Sequence, residues 1–120
     1  MIVTEGIYYI RPGKNYREKN KGRTDTELLR DHVKRFVLRR NRATYTEEEG
    51  KDVARLLTQY AGTVPDVRLL IRLISEAVLE SIRIRNAGIR NHYKWNRRLN
   101  PKFVHKILQE KILNQPQLVK

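Results

Sequence analysis

Hydrophobic positions recur at helical spacing in four separate stretches of the chain. In the first stretch they lie three and four residues apart, on one predicted helix face: Leu28, Leu29, His32, Val33, Phe36 and Val37. Residues 24–27, Thr-Asp-Thr-Glu, have the form of a capping box, in which the first and fourth residues satisfy each other's backbone amides. The pattern predicts a first helix from Thr24 to the region of Asn41 to Ala43.

A second capping box, residues 46–49, predicts where the second helix begins. Its three glutamates suit the positive end of the helix dipole. The expected apolar face follows, and Gly62 is a natural stop: Val53, Leu56, Leu57 and Tyr60.

The third predicted helix is apolar on two sides. It follows residues 63–66, with Pro65 expected in the first turn, and runs to about Asn86. One face holds Val67, Leu70, Ile71, Ile74, Ala77, Val78 and Ile82, and the other holds Leu69, Leu73 and Ile84. A helix of this kind is central in a bundle or is covered by a partner subunit.

After a break at Gly88, Asn100 and Pro101 are a good cap and first position for a fourth helix. Its stripe is Phe103, Val104, Ile107, Leu108 and Ile112, and Asn114 and Pro116 end it. Short loops favour antiparallel neighbours. We therefore expect an all-α fold, a four-helix bundle over residues 24–114, with a basic N-terminal arm over 1–23 and a short C-terminal tail over 115–120.

Glycines and a proline interrupt residues 1–23, and residues 11–23 carry six basic side chains against one acid. Such a segment should be extended or disordered alone. The opening residues 1–10 are rich in β-branched and aromatic residues and would also suit a short strand.

Charge is the strongest compositional signal. Lys and Arg total 26 against 13 acids, a net charge of +13. The excess lies at both ends: net +7 over residues 1–45, −3 over 46–82 and +9 over 83–120. We interpret the middle as scaffold and the ends as a surface for a polyanion.

The composition and the spacing of the residues disfavour several classes of protein. The chain has no cysteine, which fits a reducing compartment or a hot one and excludes thiolate chemistry. No apolar run approaches the roughly 20 residues that span a bilayer, and no signal-peptide pattern opens the chain, so we expect an intracellular protein. His32, His92 and His105 lack metal-ligand spacing, and consecutive glutamates on a helix point in different directions. We expect no enzyme activity, metal or cofactor.

Three segments could contact phosphates. The arm offers Arg11, Lys14, Tyr16, Arg17, Lys19, Lys21 and Arg23. The polar face of the first helix offers Arg30, Lys34, Arg35 and Arg39, followed by Arg40 and Arg42. Around Tyr93 and Trp95, a third cluster offers Arg90, Lys94, Arg97 and Arg98. The alternatives are a solubilising tail, a solvated helix face and, for Trp95, a core anchor.

A helix-turn-helix built from the second and third helices is disfavoured. Its recognition helix would be residues 67–74, which are mostly Leu and Ile, whereas base edges are read by polar side chains. A non-specific packaging protein fits better, because the chain combines a basic arm, a helical body and spare apolar surface.

In this layout the chain resembles the major coat proteins of filamentous archaeal viruses with linear double-stranded DNA, the lipothrixvirus and rudivirus lineage. The resemblance rests on the arm from Ile10 to Arg23, the capped start at Thr24 and the four-helix layout through Leu113. It implies a coat protein of the virion, assembled in the host cytoplasm, whose subunits pair with themselves or with a related coat protein and wrap double-stranded DNA in a helical filament.

The resemblance also implies that the arm lies against DNA in an A-like form. Some members of the group carry a lipid envelope outside the filament, so an outer face would meet lipid. This chain departs from the pattern in its second basic cluster, near the C-terminal helix. That cluster would contact DNA or an acidic partner subunit.

Other classes remain open on sequence alone. A cellular chromatin-type or transcriptional DNA-binding protein would show sequence preference or a discrete oligomer. A small RNA-binding subunit of a ribonucleoprotein would use Trp95 and the tyrosines for stacking. A membrane-surface protein is disfavoured, because the third helix lacks flanking Lys and Trp.

Overall fold

The computed structural model describes Leu28 and residues 31–115, and this part of the chain is all-α, as the sequence predicts. Helix α1 covers residues 31–38, α2 is Glu47–Tyr60, α3 is Val67–Arg85 and α4 is Pro101–Leu113. A 3-10 turn, His92–Lys94, lies between α3 and α4, and no β-strand occurs in the described ranges. The predicted arm, its strand and the capping box at Thr24 lie outside the described residues.

The capping predictions for α2 and α4 are confirmed. Thr46 and Glu49 form a reciprocal box: the Glu49 N–H donates to Thr46 Oγ1 at 3.2 Å, and the Thr46 N–H donates to Glu49 Oε1 at 2.7 Å. Asn100 caps α4 by accepting the Phe103 N–H at 3.2 Å, with Pro101 in the first turn. These bonds satisfy amides that have no partner inside the helix.

Helix α3 follows residues 63–66, as predicted. Asp66 is the cap, and its Oδ1 accepts the N–H groups of Arg68 at 3.0 Å and Leu69 at 3.4 Å. The expectation that Pro65 lies in the first turn was therefore wrong, because the helix begins at Val67. At the other end, α3 finishes at Arg85, close to the predicted end at about Asn86, and Asn86 is its cap.

Helix α1 contains a π-helical turn over Lys34–Leu38, in which the Arg39 N–H donates to the Lys34 carbonyl at 3.1 Å. The wider turn inserts one residue into the helical period. As a result Val37 and Leu38 are both buried, whereas Phe36, predicted on the apolar stripe, is 41% exposed. The helix also ends at Leu38, short of the predicted end.

Helix α3 is central, as its two apolar sides predict, and it contacts each of the other helices. Its buried side chains form the middle of the core: Val67, Leu70, Leu73, Ile74, Ala77, Val78, Ser81 and Ile82. Helix α4 runs antiparallel to α3. Lys111, near the end of α4, pairs with Glu80 at 3.0 Å, whereas Arg98, just before α4 begins, accepts a hydrogen bond on its carbonyl from Arg85 at the end of α3. Ile84, predicted on the second apolar face, is half exposed.

Candidate nucleic-acid interface

The loop between α1 and α2 pairs with the end of the loop between α3 and α4. The Thr44 N–H donates to the Arg97 carbonyl and the Leu99 N–H donates to the Thr44 carbonyl, both at 2.8 Å. These bonds form an isolated parallel β-bridge between Thr44 and Arg98. Leu99 is buried beneath the bridge. Two loops that are far apart in sequence are therefore fixed side by side.

The side chain of Arg97 reinforces this pairing. Its Nη1 donates to the Asn41 carbonyl at 2.9 Å, and its guanidinium carbon lies 5.4 Å from the centre of the Trp95 ring, a cation–π distance. Asn41 is held in turn by a bond from its Nδ2 to Ser75 Oγ on α3, at 3.0 Å. Arg97, predicted to contact phosphate, thus has a demonstrable role within the fold.

Asn86, directly after α3, binds the backbone of Asn96 in the later part of the α3–α4 loop. It is only 3% exposed, and its Nδ2 donates to the carbonyls of Ile82 at 2.7 Å and Asn96 at 2.8 Å. Its Oδ1 accepts the Asn96 N–H at 2.7 Å. One buried amide therefore caps α3 and holds the returning loop against it.

The middle of this loop is organised around Trp95. The indole N–H donates to the Ile89 carbonyl at 2.9 Å, and the ring lies 4.3 Å from that of His92. Trp95 is half-buried and packs against the core, which supports the interpretation of this residue as an anchor. Gly88, with φ of 89°, allows the chain to leave α3 in a left-handed conformation that suits glycine.

The paired loops carry exposed cations that we call the loop surface: Arg39, Arg40, Arg42, Arg90 and Lys94. None of the five forms a salt bridge with an acid in the described part of the chain. Two clusters that were separate predictions, the end of the first helix and the segment around Trp95, therefore belong to adjoining loops. Their guanidinium and ammonium groups are available to an external anion.

Other predicted contact residues already have acidic neighbours. Lys34 pairs with Glu47, and Arg98 Nη2 lies 3.0 Å from Glu49 Oε1. The Thr46 N–H holds the pKa of the Glu49 carboxyl below its ordinary value; partial desolvation opposes this shift, while the Thr46 side chain and the charge of Arg98 add to it. Arg35 is exposed on α1.

Eight predicted contact residues lie outside the described residues: Arg11, Lys14, Tyr16, Arg17, Lys19, Lys21, Arg23 and Arg30. The residue pattern did not predict which residues position the surface, above all Asn41, Thr44 and Asn86. The one usable signal was an asparagine at the end of the long third helix, because a cap there can also reach into the following loop.

His32 and His105 make contacts within the fold. His32 is buried against Phe36, with ring centres 4.6 Å apart, and burial lowers its pKa from 6.5 to about 4. His105 Nε2 lies 2.7 Å from the Tyr60 hydroxyl and thereby links α4 to α2. Among the described residues there is no cluster of three or more potential metal ligands.

No helix in the described part of the chain is both long enough and apolar enough to cross a membrane. Comparison with known proteins finds no family model, no curated protein and no solved structure that matches this chain.

Proposed function

We propose that this protein is a structural DNA-binding coat protein that packages linear double-stranded DNA into a helical filament through non-specific phosphate contacts. The observation that carries the proposal is the loop surface, in which five exposed cations without a described acidic partner lie on two loops held by hydrogen bonds. Its role is structural rather than catalytic.

The chemistry of the surface favours phosphate as the ligand. Arginine presents a planar fork of donors that matches phosphate oxygens, and four of the five cations are arginines. Each phosphate that is neutralised releases condensed counterions, which gives affinity without reading sequence. The net charge of +13 adds long-range attraction to any polyanion.

The fold also favours non-specific binding. Sequence is commonly read by a helix that enters the major groove with polar side chains. Helix α3 contacts each of the other described helices, and its first half, residues 67–74, is mostly Leu and Ile and so lacks the polar side chains for that purpose. The loop surface instead offers charge along loops, which suits contact with the phosphate backbone.

Assembly into a coat is supported by the layout that resembles filamentous archaeal virus coat proteins and by apolar side chains left in solvent. Leu113 is 77% exposed and Ile84 is half exposed, so both could be covered by a neighbouring subunit. We propose that the helices form an up-down four-helix bundle that pairs with a copy of itself or with a related coat protein. A virion, assembled in the host cytoplasm and with a lipid envelope outside the filament in some cases, belongs to the same proposal.

One observation favours a second candidate, an RNA-binding subunit of a ribonucleoprotein. The Tyr93 ring projects from the loop surface almost fully into solvent. Exposed aromatic rings beside cations are typical of proteins that stack on unpaired bases.

Electron microscopy of the purified full chain mixed with linear duplex DNA at low salt tests the proposal. We expect filaments of uniform width whose length follows that of the DNA and which dissociate at high salt. Filaments of the variant Arg39→Gln/Arg40→Gln/Arg42→Gln should dissociate at lower salt. The slope of log K, where K is the association constant for DNA, against the logarithm of the salt concentration should be reduced by about 2.7, or roughly 0.9 for each lost contact.

The matched control is Lys51→Gln/Arg55→Gln/Arg72→Gln. It removes the same charge, but these three cations pair with Glu48, Asp52 and Glu76. It should therefore keep nearly the wild-type slope. Isolated bound particles instead of filaments would favour a cellular chromatin-type or transcriptional protein. If the protein binds RNA but not duplex DNA, the coat-protein proposal is contradicted and the RNA-binding subunit is favoured.

A further inference from the structure

Tyr93 is the most exposed of the large apolar side chains in the described part of the chain, with 93% of its surface accessible. It lies in the middle of the 3-10 turn His92–Lys94. A tyrosine ring is a large apolar surface with a polar tip, and covering it contributes strongly to binding. Exposure alone does not identify a site, since single exposed apolar residues are common on proteins. The support comes from the turn that presents the ring and from the charges beside it.

The turn is fixed on both sides of the tyrosine. Before it, Asn91 Oδ1 accepts the Tyr93 N–H at 3.0 Å, and the Asn91 carbonyl accepts the Lys94 N–H at 2.9 Å. After it, Trp95 is anchored by its bond to the Ile89 carbonyl and by its contact with the core. The backbone that carries Tyr93 has therefore already lost most of its freedom, which lowers the entropic cost of binding through the ring.

The segment that carries Tyr93 is cationic. Arg90 precedes Tyr93 in the sequence and Lys94 follows it; both are exposed, and neither is paired with a described acid. The sequence contains no acidic residue between Glu80 and Glu110. A ligand for this turn should therefore combine negative charge with a flat apolar face, and a nucleotide has both in its phosphate and its base.

We propose that Tyr93 is a base-stacking residue, whose ring takes the face of an unpaired nucleobase while Arg90 and Lys94 bind the neighbouring phosphates. This inference rests on the proposed function, since it requires that the loop surface binds nucleic acid. In an intact duplex each base is covered by its neighbours in the stack, so no face is free for the ring. The site therefore prefers unpaired overhangs, gaps and opened steps over continuous duplex.

Fluorescence anisotropy with three labelled DNAs of equal length tests this preference in the full-length protein. The first is a blunt duplex, the second has a short internal gap with unpaired bases, and the third has the same gap with abasic sites. We expect the gap with bases to bind roughly fivefold to a hundredfold more tightly than the abasic gap, the usual range for one stacked base. Tyr93→Ala should remove this difference without changing binding to the blunt duplex, and Tyr93→Phe should keep it.

Two outcomes would overturn the inference. Equal binding of the two gapped DNAs by the wild-type protein would show that no base is stacked. An equal loss of affinity for all three DNAs in Tyr93→Ala would place Tyr93 against the backbone. In both cases the proposed function survives, because the blunt duplex is still bound by the wild-type protein. Failure of the wild-type protein to bind any of the three DNAs would instead contradict the proposed function as well.

Discussion

Asn86 and the backbone of Asn96 are joined by two hydrogen bonds, one in each direction. The Asn86 Nδ2 donates to the Asn96 carbonyl at 2.8 Å, and the Asn96 N–H donates to the Asn86 Oδ1 at 2.7 Å. A side-chain amide thus pairs with the backbone N–H and carbonyl of one residue, in the way that a neighbouring strand would. Because the amide is buried, it holds the end of the basic loop against α3.

Replacing Asn86 should destabilise the fold more than any exposed asparagine would. Asn86→Ala removes three hydrogen bonds of a buried amide, two of which hold the backbone of Asn96, and we expect it to lower the free energy of unfolding by about 3 kcal/mol. Asn86→Asp keeps the acceptor but sets a carboxylate beside two carbonyls, so it should cost at least as much. Urea denaturation followed by circular dichroism measures both.

The control for this comparison is Asn114→Ala, at the exposed end of α4. Its expected effect is within about 0.5 kcal/mol, as for most surface changes. A similar loss in Asn114→Ala and Asn86→Ala would show that the buried amide has no special role.

Gly88 and Gly62 should respond in opposite directions to a change to alanine. Gly88 has a φ of 89°, where an L side chain is strained, so Gly88→Ala should lower stability by about 1–2 kcal/mol. At Gly62 no positive φ occurs and no atom lies within 4 Å of an added Cβ, so Gly62→Ala should raise stability by about 0.4–1 kcal/mol. Thermal melting of the two variants side by side decides the matter. A stable Gly88→Ala would mean that the loop leaves α3 by another route.

Arg98 should contribute less than Arg90 to the proposed DNA binding, although both belong to the predicted cluster. Arg98 is engaged with Glu49, whereas Arg90 has no described acidic partner. We expect Arg90→Gln to reduce the slope of log K against log salt by about 0.9 and Arg98→Gln to change it little. Equal reductions would show that Arg98 leaves Glu49 when DNA binds. NMR titration of Glu49 provides a second reading, because Arg98→Gln should raise the pKa of that carboxyl.

The buried His32 should make stability depend on pH between 6.5 and 4. Burial lowers the pKa of its imidazole from 6.5 to about 4, so the ring is neutral in the folded protein. Below pH 6.5, His32 binds a proton in the unfolded chain but not in the folded chain, so the free energy of unfolding falls until about pH 4. The upper limit of this loss is about 3 kcal/mol, at 1.36 kcal/mol for each unit of pKa.

Denaturation curves at pH 7 and pH 4.5 for wild type and His32→Gln measure this contribution as the difference between the two proteins. His92→Gln, which removes an exposed ring, is the matched control and should behave like wild type. If His32→Gln loses as much stability as wild type over this range, the carboxyl groups and not His32 govern acid unfolding.

The helices were predictable because their signals are local. The reciprocal box at Thr46 and the cap at Asn100 depend on residues three apart, and the core of α3 follows from its apolar spacing. The π-helical turn was not predictable in this way. It inserts one residue into the period, which buries Leu38 and exposes Phe36, and packing of the whole helix decides where such an insertion falls.

The candidate surface was predictable only in part. The excess of Arg and Lys in the two loops is visible in the sequence, but their juxtaposition is not. It depends on side-chain bonds to backbone carbonyls, such as that from Arg97 to Asn41, and these leave no periodic trace. The sequence pattern also does not show that Arg98 pairs with Glu49 whereas Arg90 has no described acidic partner.

The bond between Arg97 and Asn41 spans 56 residues of sequence, and this has a consequence for the order of events during synthesis. A ribosome releases the arginines at the end of α1 long before it has made their partner loop. Closing so long a segment carries an entropic cost that only the folded helices repay. A nascent or truncated chain that stops before Arg97 has much of the charge but lacks the paired arrangement, so the two loops come together only after synthesis has passed Arg97.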